Sequence, residues 1–341
     1  MRTSPQRDGQ GGRRPARTPR FPSQIVPSPG PSPGARGRPA ATYGTQQRHL
    51  PRFTCSTFGE KILAWKAIGI FDSGVGGLTV LKEVVRVLPQ EDTIYLGDTA
   101  RVPYGSKSPE TVVRYSRQIA RYLLGRDIKL LVVACNTASA VALSALQQEF
   151  SIPIVGVIEP GARAAVEATK RGKVGVIGTA ATIASSAYTK AIKRINPEIE
   201  VVSRACPLFV PLAEEGWVDN EVARLTARSY LEELKRQDVD TLVLGCTHYP
   251  ILKGVIAEVM GPAVTLVDSA EQTALTVARI LREQELLRPS VEKGNHHYFV
   301  TDVPAGFIRV GNRFLGGELG DVYQVSLEQE LQDGGEVEET Y

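Results

Sequence analysis

The chain has 341 residues, of which 42% are hydrophobic and 23% charged, with a formal net charge of +3. This composition is typical of a globular protein of about two domains, and the lack of any run of about 18 uncharged apolar residues argues against a membrane-spanning helix. Its four cysteines and four histidines are too few and too scattered for a disulfide scaffold or a structural zinc site, so we expect a cytoplasmic protein without a bound metal.

Residues 1–64 form a leader rich in Arg, Pro and Gly, which we expect to be disordered. Residues 1–60 hold ten Arg and no Lys against Asp8 and Glu60, which gives this segment a net charge of +8. Because the whole chain has a net charge of +3, the remaining residues carry −5. Such a segment cannot bury enough apolar surface to offset the entropy of ordering. Organelle targeting or nucleic-acid contact is the alternative for the leader, whereas the acidic body gives no general reason to expect nucleic acid.

From Ala67 onward, short apolar runs alternate with amphipathic helical patterns. In the second helical pattern, Ser108 is the expected N-cap, Pro109 the first helical residue and Gly125 the stop. Strands that alternate with helices of this length, and that are apolar on both faces, predict a parallel sheet covered on both sides. The predicted order is strand AIGIFD, helix LTVLKEVVRVL, strand TIYLGD, helix PETVVRYSRQIARYLL, strand IKLLVVAC, helix NTASAVALSALQQEF and strand PIVGVIEP.

The pattern then repeats later in the chain. VGVIGTAATIASSAYTKAI, which starts at Val174, parallels IGIFDSGVGGLTVLKEVV, which starts at Ile68. TLVLGCTHYPIL, from Thr241, parallels LLVVACNTASAVAL, from Leu130, at nearly the same shift. Such self-similarity indicates two copies of one α/β domain.

We therefore predict two pseudo-symmetric, doubly wound parallel-sheet domains with the active site in the cleft between them. The predicted segments are the leader 1–64, domain one 67–160 with 268–323, domain two 161–267 and an acidic tail 324–341.

Two cysteines take equivalent positions in the two repeats. Cys135 and Cys246 each follow a strand at its carboxyl end, where ligands bind in open α/β sheets, and each precedes a predicted helix whose positive end favours a thiolate. Facing domains would place them on opposite walls of one cleft. A thiolate on one side of a carbon and a thiol on the other invert a stereocentre without a cofactor, so the sequence predicts a racemase. The alternative is that both are packing residues, which is our interpretation of Cys206.

Polar side chains follow the same strand ends. Asp72 and Ser73 close the first strand before a glycine-rich turn, whose N–H groups suit a carboxylate. His248, beside Cys246, suits proton transfer. The alternatives are a turn residue for Asp72 and a satisfied buried imidazole for His248. The glycines do not spell GxGxxG, and VGVIGTAA offers only GxxGxxA, which disfavours a dinucleotide-binding dehydrogenase.

Five motifs in order, FDSGVGGLTV, YLGDTARVPYGSKS, VACNTASA, ACPLFVPL and LGCTHYPIL, resemble the motif set of the bacterial glutamate racemases over roughly residues 67–317. The resemblance implies a cofactor-independent interconversion of L- and D-glutamate that supplies D-glutamate for peptidoglycan. It also implies a set of acid/base residues: the thiols Cys135 and Cys246, assisted by His248, Asp72, Asp98 and Glu214, with Glu215 as the other candidate in PLAEEG. The substrate-binding residues it implies are Asp72, Ser73, Tyr104, Gly105, Asn136, Thr137, Thr247 and His248.

Two alternatives to glutamate racemisation stay open at this level. One is a racemase of another amino acid such as aspartate, because pocket shape decides the side-chain length. The other is a catalytically silent binding or regulatory relative. The resemblance further implies a homodimer, and in some family members regulation by a cell-wall precursor or binding to DNA gyrase. The Arg/Pro-rich leader of this chain is a departure from the family pattern.

Overall fold

The computed structural model describes residues 62–327 of the chain. Across that range ten strands form two sheets, and every strand pairing is parallel. The first sheet, in the order β10-β9-β2-β1-β3-β4, consists of β1 (Ala67–Asp72), β2 (Thr93–Gly97), β3 (Ile128–Val133), β4 (Ile154–Gly156), β9 (His296–Val300) and β10 (Val322–Gln324). The second, in the order β6-β5-β7-β8, consists of β5 (Lys173–Gly178), β6 (Glu200–Ala205), β7 (Thr241–Gly245) and β8 (Thr265–Asp268).

The two sheets repeat one arrangement of strands. The order β2-β1-β3-β4 in the first sheet matches β6-β5-β7-β8 in the second. β1 begins at Ala67 and β5 at Lys173, the same spacing that separates Ile68 from Val174 in the sequence repeat. In both sheets, the first strand of the repeat lies between the second and the third. The sequence repeat is therefore also a repeat of topology, and the carboxyl ends of equivalent strands carry equivalent positions of the chain.

Helices cover the sheets, and none of those between residues 62 and 327 is long and apolar enough to cross a bilayer. In α1, Leu78, Leu81 and Val84 are buried together as the helical spacing predicts. Short 3-10 turns occupy Tyr104–Ser106 and Tyr249–Leu252. Twelve α-helices lie wholly within the described range: α1 (Leu78–Val87), α2 (Pro109–Leu124), α3 (Asn136–Val141), α4 (Leu143–Glu149), α5 (Ile158–Ala168), α6 (Ala180–Ala184), α7 (Ala187–Ile195), α8 (Phe209–Glu215), α9 (Glu221–Arg236), α10 (Lys253–Met260), α11 (Ser269–Glu283) and α12 (Pro304–Leu315).

Two predicted elements differ in the structure. The fourth strand, predicted over residues 153–160, is limited to β4, and α5 already begins at Ile158. Pro160 is compatible with this helix start, since a proline in the first turn lacks only an N–H that would have no acceptor within the helix. The single helix predicted over residues 136–150 is broken at Ala142, where φ is −107° and ψ −20°. We have no physical account of this break.

Helix α2 starts where the sequence predicts, directly after the loop that carries Tyr104 and Gly105. Ser108 is its N-cap and accepts a hydrogen bond from Thr111 N–H at 3.3 Å, while Gly125 is the C-cap. Replacing Ser108 by Ala is expected to lower the free energy of unfolding by about 1 kcal/mol, because one N–H of the first turn loses its acceptor. Ser108→Asn keeps an acceptor and serves as the control in urea denaturation. An equal loss in both variants would contradict the capping role.

Candidate active site

The carboxyl ends of β3 and β7 bring the two equivalent cysteines to one cavity. Cys135 and Cys246 both line a cavity of about 280 Å³, and each residue is 5% exposed. This volume is close to the lower limit of about 300–1,000 Å³ for ligand sites, which indicates a small ligand. The other predicted site residues that line the cavity are Ser73, Tyr104, Gly105, Asn136, Thr137, Thr247 and His248.

Cys135 is the N-cap residue of α3. Its sulfur accepts a hydrogen bond from Ala138 N–H at 3.5 Å and lies 3.7 Å from Ser73 Oγ. Burial and the neighbouring Asp72 raise the pKa of the Cys135 thiol to about 12, although the hydrogen bonds with Ala138 and Ser73 oppose the shift. The Ala138 N–H at the helix end favours a thiolate at Cys135, as predicted, but desolvation outweighs it and the net shift of the pKa is upward.

Cys246 has different surroundings from Cys135. The 3-10 turn Tyr249–Leu252 follows Cys246 and leads into α10, which begins at Lys253, so Cys246 precedes a helical segment but does not cap an α-helix as Cys135 does. Its sulfur lies instead 3.9 Å from Nδ1 of His248, and Nε2 of the same ring is 2.9 Å from Glu214 Oε1. Of the two adjacent carboxylates in the sequence, Glu214 is thus the one that contacts the imidazole. An imidazole–carboxylate pair takes the place of the expected helix end.

His248 carries a proton at neutral pH in this environment. Burial alone lowers the pKa of His248, but its hydrogen bonds and charge interactions with Cys246 and Glu214 outweigh burial and raise that pKa to about 10. The two cysteines therefore face the cavity with unlike partners: buried Asp72 stands beside Cys135, and a protonated imidazole beside Cys246.

Replacing Glu214 by Gln is expected to move the alkaline limb of the kcat/KM profile to lower pH by about one unit. The neutral amide removes one of the interactions that raise the pKa of His248, so the imidazolium loses its proton at a lower pH. A hydrogen bond to a charged group is worth about 1.5–3 kcal/mol, and one pKa unit corresponds to about 1.4 kcal/mol. Solvent screening at the partly exposed Glu214 reduces the effect.

The measurement is the pH dependence of kcat/KM for the wild type and the variant. Glu215→Gln is the matched control, since Glu215 is the exposed neighbour in the same helix. If the profiles of both variants coincide with that of the wild type, Glu214 does not set the charge of His248.

Two buried acceptors next to the cysteines lack a donor. Asp72 Oδ1 accepts a hydrogen bond from Gly77 N–H at 3.0 Å, whereas its Oδ2 has no partner among residues 62–327. Asn136 Nδ2 donates to Tyr188 Oη at 2.9 Å, and its Oδ1 is likewise unpaired within the described chain. Burial raises the pKa of Asp72, although the charge on His248 and the Gly77 N–H oppose the shift. Unpaired buried acceptors are costly, and Asn136, which lines the cavity, can offer its oxygen to an N–H donor of a ligand.

Asp98 fixes the loop that carries Tyr104. Its carboxylate accepts hydrogen bonds from Tyr104 Oη, from Arg101 Nε at 2.8 Å and from Thr301 Oγ1 at 2.9 Å. Asp98 is fully buried and, like Asp72 and Glu214, is not among the residues that line the cavity. These contacts support a role in positioning Tyr104 rather than in direct proton transfer.

Sequence reasoning missed several polar groups around the cavity. Thr179 lines it, and its Oγ1 is 3.0 Å from Thr137 Oγ1, which comes from the other repeat. Thr182 Oγ1 lies within 3.2 Å of both hydroxyls. Thr179 is the counterpart of Ser73 in the second repeat, so the repeat was a signal that could have found it. Thr182 and Tyr188 lie inside helices rather than at strand ends, and no motif pointed to them.

Two cysteines from equivalent positions of the two repeats line one cavity together with polar side chains from both repeats, an arrangement that fits an amino-acid racemase. The chain belongs to the Asp/Glu/Hydantoin racemase family, whose sequence profile matches residues 68–277.

Named relatives support the same family assignment. The glutamate racemase of Geobacter metallireducens is 77% identical over 268 residues, which are 79% of this chain and 99% of that protein. The structure of glutamate racemase from Francisella tularensis in complex with D-glutamate has a TM-score of 0.74 at 40% identity and covers 78% of this chain and 99% of its own. The structure of glutamate racemase from Thermus thermophilus in complex with β-chloro-D-alanine has a TM-score of 0.72 at 49% identity and covers 78% of this chain and 99% of its own. The predicted family and the predicted two-domain α/β fold are confirmed.

Proposed function

We propose that the protein interconverts L- and D-glutamate without a cofactor, with Cys135 and Cys246 as the two acid/base groups. The observation that carries this proposal is the single cavity of about 280 Å³ lined by both cysteines. Family membership supports the reaction class, and the high identity to a glutamate racemase supports glutamate as the substrate.

In one direction, Cys246 as a thiolate removes the α-proton, and the electron pair of the broken C–H bond stays on the α-carbon. The Cys135 thiol then gives its proton to the opposite face of that carbon. In the other direction the two cysteines exchange roles. The pKa of about 12 for Cys135 keeps a proton on this sulfur in the resting state, and His248 lies next to Cys246, where it can assist proton transfer.

The α-carbon is a much weaker acid than a thiol, so the site must stabilise the developing carbanion. A buried cavity strengthens every electrostatic contact with the substrate because little water screens it. Asp72 Oδ2 and Asn136 Oδ1, both unpaired within the described chain, accept hydrogen bonds from the substrate ammonium. The hydroxyls of Ser73, Thr137 and Thr247 at the cavity wall bind its carboxylates.

The test follows the optical activity of purified protein with L-glutamate and with D-glutamate, in the presence of a chelator and without added cofactor. Equal conversion toward the racemate from both enantiomers is expected. L-aspartate is the comparison substrate, and we expect a kcat/KM at least about a hundredfold lower, because the shorter side chain leaves a carboxylate partner unpaired. Faster racemisation of aspartate would assign the protein to that substrate, and no turnover of either would indicate a silent binding protein.

A biological role follows from this reaction. We propose that the D-glutamate produced enters peptidoglycan synthesis in the cytoplasm. A homodimeric state and regulation by a cell-wall precursor remain predictions, as does the absence of a role in nucleic-acid binding. The predicted leader 1–64 and acidic tail 324–341 lie largely outside residues 62–327.

The domain limits are also a proposal. Sheet one takes its strands from residues 67–156 and 296–324, and sheet two from residues 173–268, in keeping with a double crossover between domains. The predicted limit after residue 160 falls inside α5. Because Ile158, Ala162 and Ala165 of this helix share a buried cluster with Val176 of the second sheet, we propose that domain two begins at the start of α5.

A further inference from the structure

Helix α12 packs with elements of the first sheet, yet its last turn contacts residues from the part of the chain that forms the second sheet. The helix packs against α1 and β10. Arg313 Nη1 donates a hydrogen bond to the backbone oxygen of Glu214 at 2.8 Å, and the ring of Phe314 lies edge-on to His248 with centroids 5.2 Å apart. Two successive residues of α12 thus touch both members of the pair beside the second catalytic sulfur.

The guanidinium of Arg313 fills space that is free because residue 216 is a glycine. Helix α8 ends at Gly216, which has a φ of +76°, a conformation that other residues rarely adopt. A Cβ built on Gly216 would lie 2.5 Å from Cζ of Arg313. The last carbonyls of a helix lack partners within it and carry partial negative charge. The guanidinium therefore caps the end of α8 through the oxygens of Ala213 and Glu214.

The capped turn carries the carboxylate that orients the imidazole. Glu214 Oε1 is 2.9 Å from His248 Nε2, and His248 Nδ1 is 3.9 Å from Cys246 Sγ. The side chain of Glu214 is 38% exposed, so packing alone does not fix it, and its backbone must be held from elsewhere. Cys135 has separate partners, Ser73 and Ala138 N–H, which Arg313 does not touch.

We propose that Arg313 is a positioning residue for one half of the reaction: by capping α8 it holds Glu214 and His248 in register with Cys246. This inference rests on the proposed two-thiol function. Loss of Arg313 damages proton removal by Cys246 and leaves proton removal by Cys135 intact.

Racemisation rates alone cannot reveal such one-sided damage. L- and D-glutamate have equal free energies in water, so kcat/KM is the same in both directions for every variant. Elimination from the two threo-3-chloroglutamates separates the thiols, since each enantiomer is deprotonated from one side only. The thiolate takes the α-proton, the C–H electron pair forms the Cα–Cβ double bond and chloride leaves. The resulting enamine tautomerises, and water hydrolyses it to 2-oxoglutarate and ammonium, which are measured.

The test compares Arg313→Ala, Arg313→Lys and Arg309→Ala. The enantiomer that depends on Cys246 is the one from which the Cys246→Ser variant no longer eliminates chloride. For Arg313→Ala, kcat/KM for that enantiomer is expected to fall about tenfold, because a misplaced proton-transfer group loses its alignment. Elimination from the other enantiomer should stay within about twofold of the wild type. Arg313→Lys keeps the charge without the planar fork and should show a smaller, equally one-sided loss.

Arg309 is the matched control, since it is exposed and lies one turn earlier in α12. Its variant should leave both eliminations unchanged. Equal losses for both enantiomers, or no loss, in Arg313→Lys and Arg313→Ala would overturn the proposal. If Arg313→Ala does not fold, as judged by its thermal unfolding, the result for Arg313→Lys decides. A wild type that neither racemises glutamate nor eliminates chloride from either analogue would count against the proposed function instead.

Discussion

Replacing Cys135 by Ser is expected to reduce kcat/KM for glutamate racemisation by about 10²–10⁴, and Cys246→Ser is expected to do the same. This is the usual contribution of a positioned acid or base. Serine keeps the size and the hydrogen-bonding capacity of the side chain, but a hydroxyl is a far weaker acid than a thiol, so neither proton removal nor proton return proceeds at that face. Both directions must fail together because every turnover uses both sulfurs. Circular dichroism of L- and D-glutamate solutions measures the loss.

The two variants should differ from each other in elimination. Each is expected to retain elimination from one enantiomer of threo-3-chloroglutamate, the one whose proton faces the remaining thiol, and the two variants should retain opposite enantiomers. Cys206→Ser is the control, since Cys206 is also buried but is not among the residues that line the cavity. Racemisation at the wild-type rate by either active-site variant would contradict the assignment.

Replacing Gly76 by Ala is expected to reduce kcat/KM by about a hundredfold. A Cβ on Gly76 would lie 2.3 Å from Thr247 Oγ1 and 2.5 Å from Nδ1 of His248, closer than real atoms approach. Gly76 belongs to the turn after β1, whereas Thr247 and His248 follow β7 of the other sheet. The added methyl group therefore pushes the imidazole away from Cys246 and separates the two walls of the site. A displacement of about 1 Å is enough for a loss of this size.

Gly254→Ala is the matched control. Gly254 lies in α10, and a Cβ there meets no heavy atom within 4 Å, so activity should be unchanged and the helix slightly stabilised. Steady-state kinetics and thermal unfolding of both variants separate a local clash from a general loss of stability. If Gly76→Ala keeps wild-type activity, the close contact between the two halves at this point is not needed for turnover.

The fold was predictable because its signals are local and repeated. Alternating apolar strands and amphipathic helices specify parallel sheets, and the regular spacing between equivalent segments specifies that the arrangement occurs twice. The position of the candidate site residues at strand ends follows from the same topology. The predictions of Ser108 and Gly125 as caps of α2 are confirmed because capping depends on residues within one turn of the helix end.

The parts that sequence did not predict depend on distant contacts. The resemblance implied Glu214, with Glu215 as the other candidate, but its contact with His248 is set by where α8 lies relative to the turn after β7. Arg313 contacts Glu214 from a distant part of the chain, and no motif records such a contact. Tyr188 reaches Asn136 in the same way.

For Cys135 the sequence pointed to the helix end, which favours a thiolate, but it gave no measure of the opposing effect of burial. A helix end contributes a fraction of a charge, whereas complete burial of a sulfur beside a carboxyl group changes its pKa by several units. For Cys135, burial and the neighbouring Asp72 outweigh the helix end and raise the pKa to about 12. Burial is a property of the folded chain, so only the structure shows whether burial or the helix end decides the pKa.

The measurement that tests the central claim most directly is the fate of the α-hydrogen during racemisation in deuterated water. Starting from protiated D-glutamate, two opposed thiols predict that the L-glutamate first formed carries solvent deuterium at its α-carbon, while the remaining D-glutamate still carries protium. Proton NMR of the separated enantiomers at low conversion reads out both. A product that keeps the original protium, or substrate that exchanges as fast as product forms, would mean that one base serves both faces and that the paired sulfurs do not share the reaction.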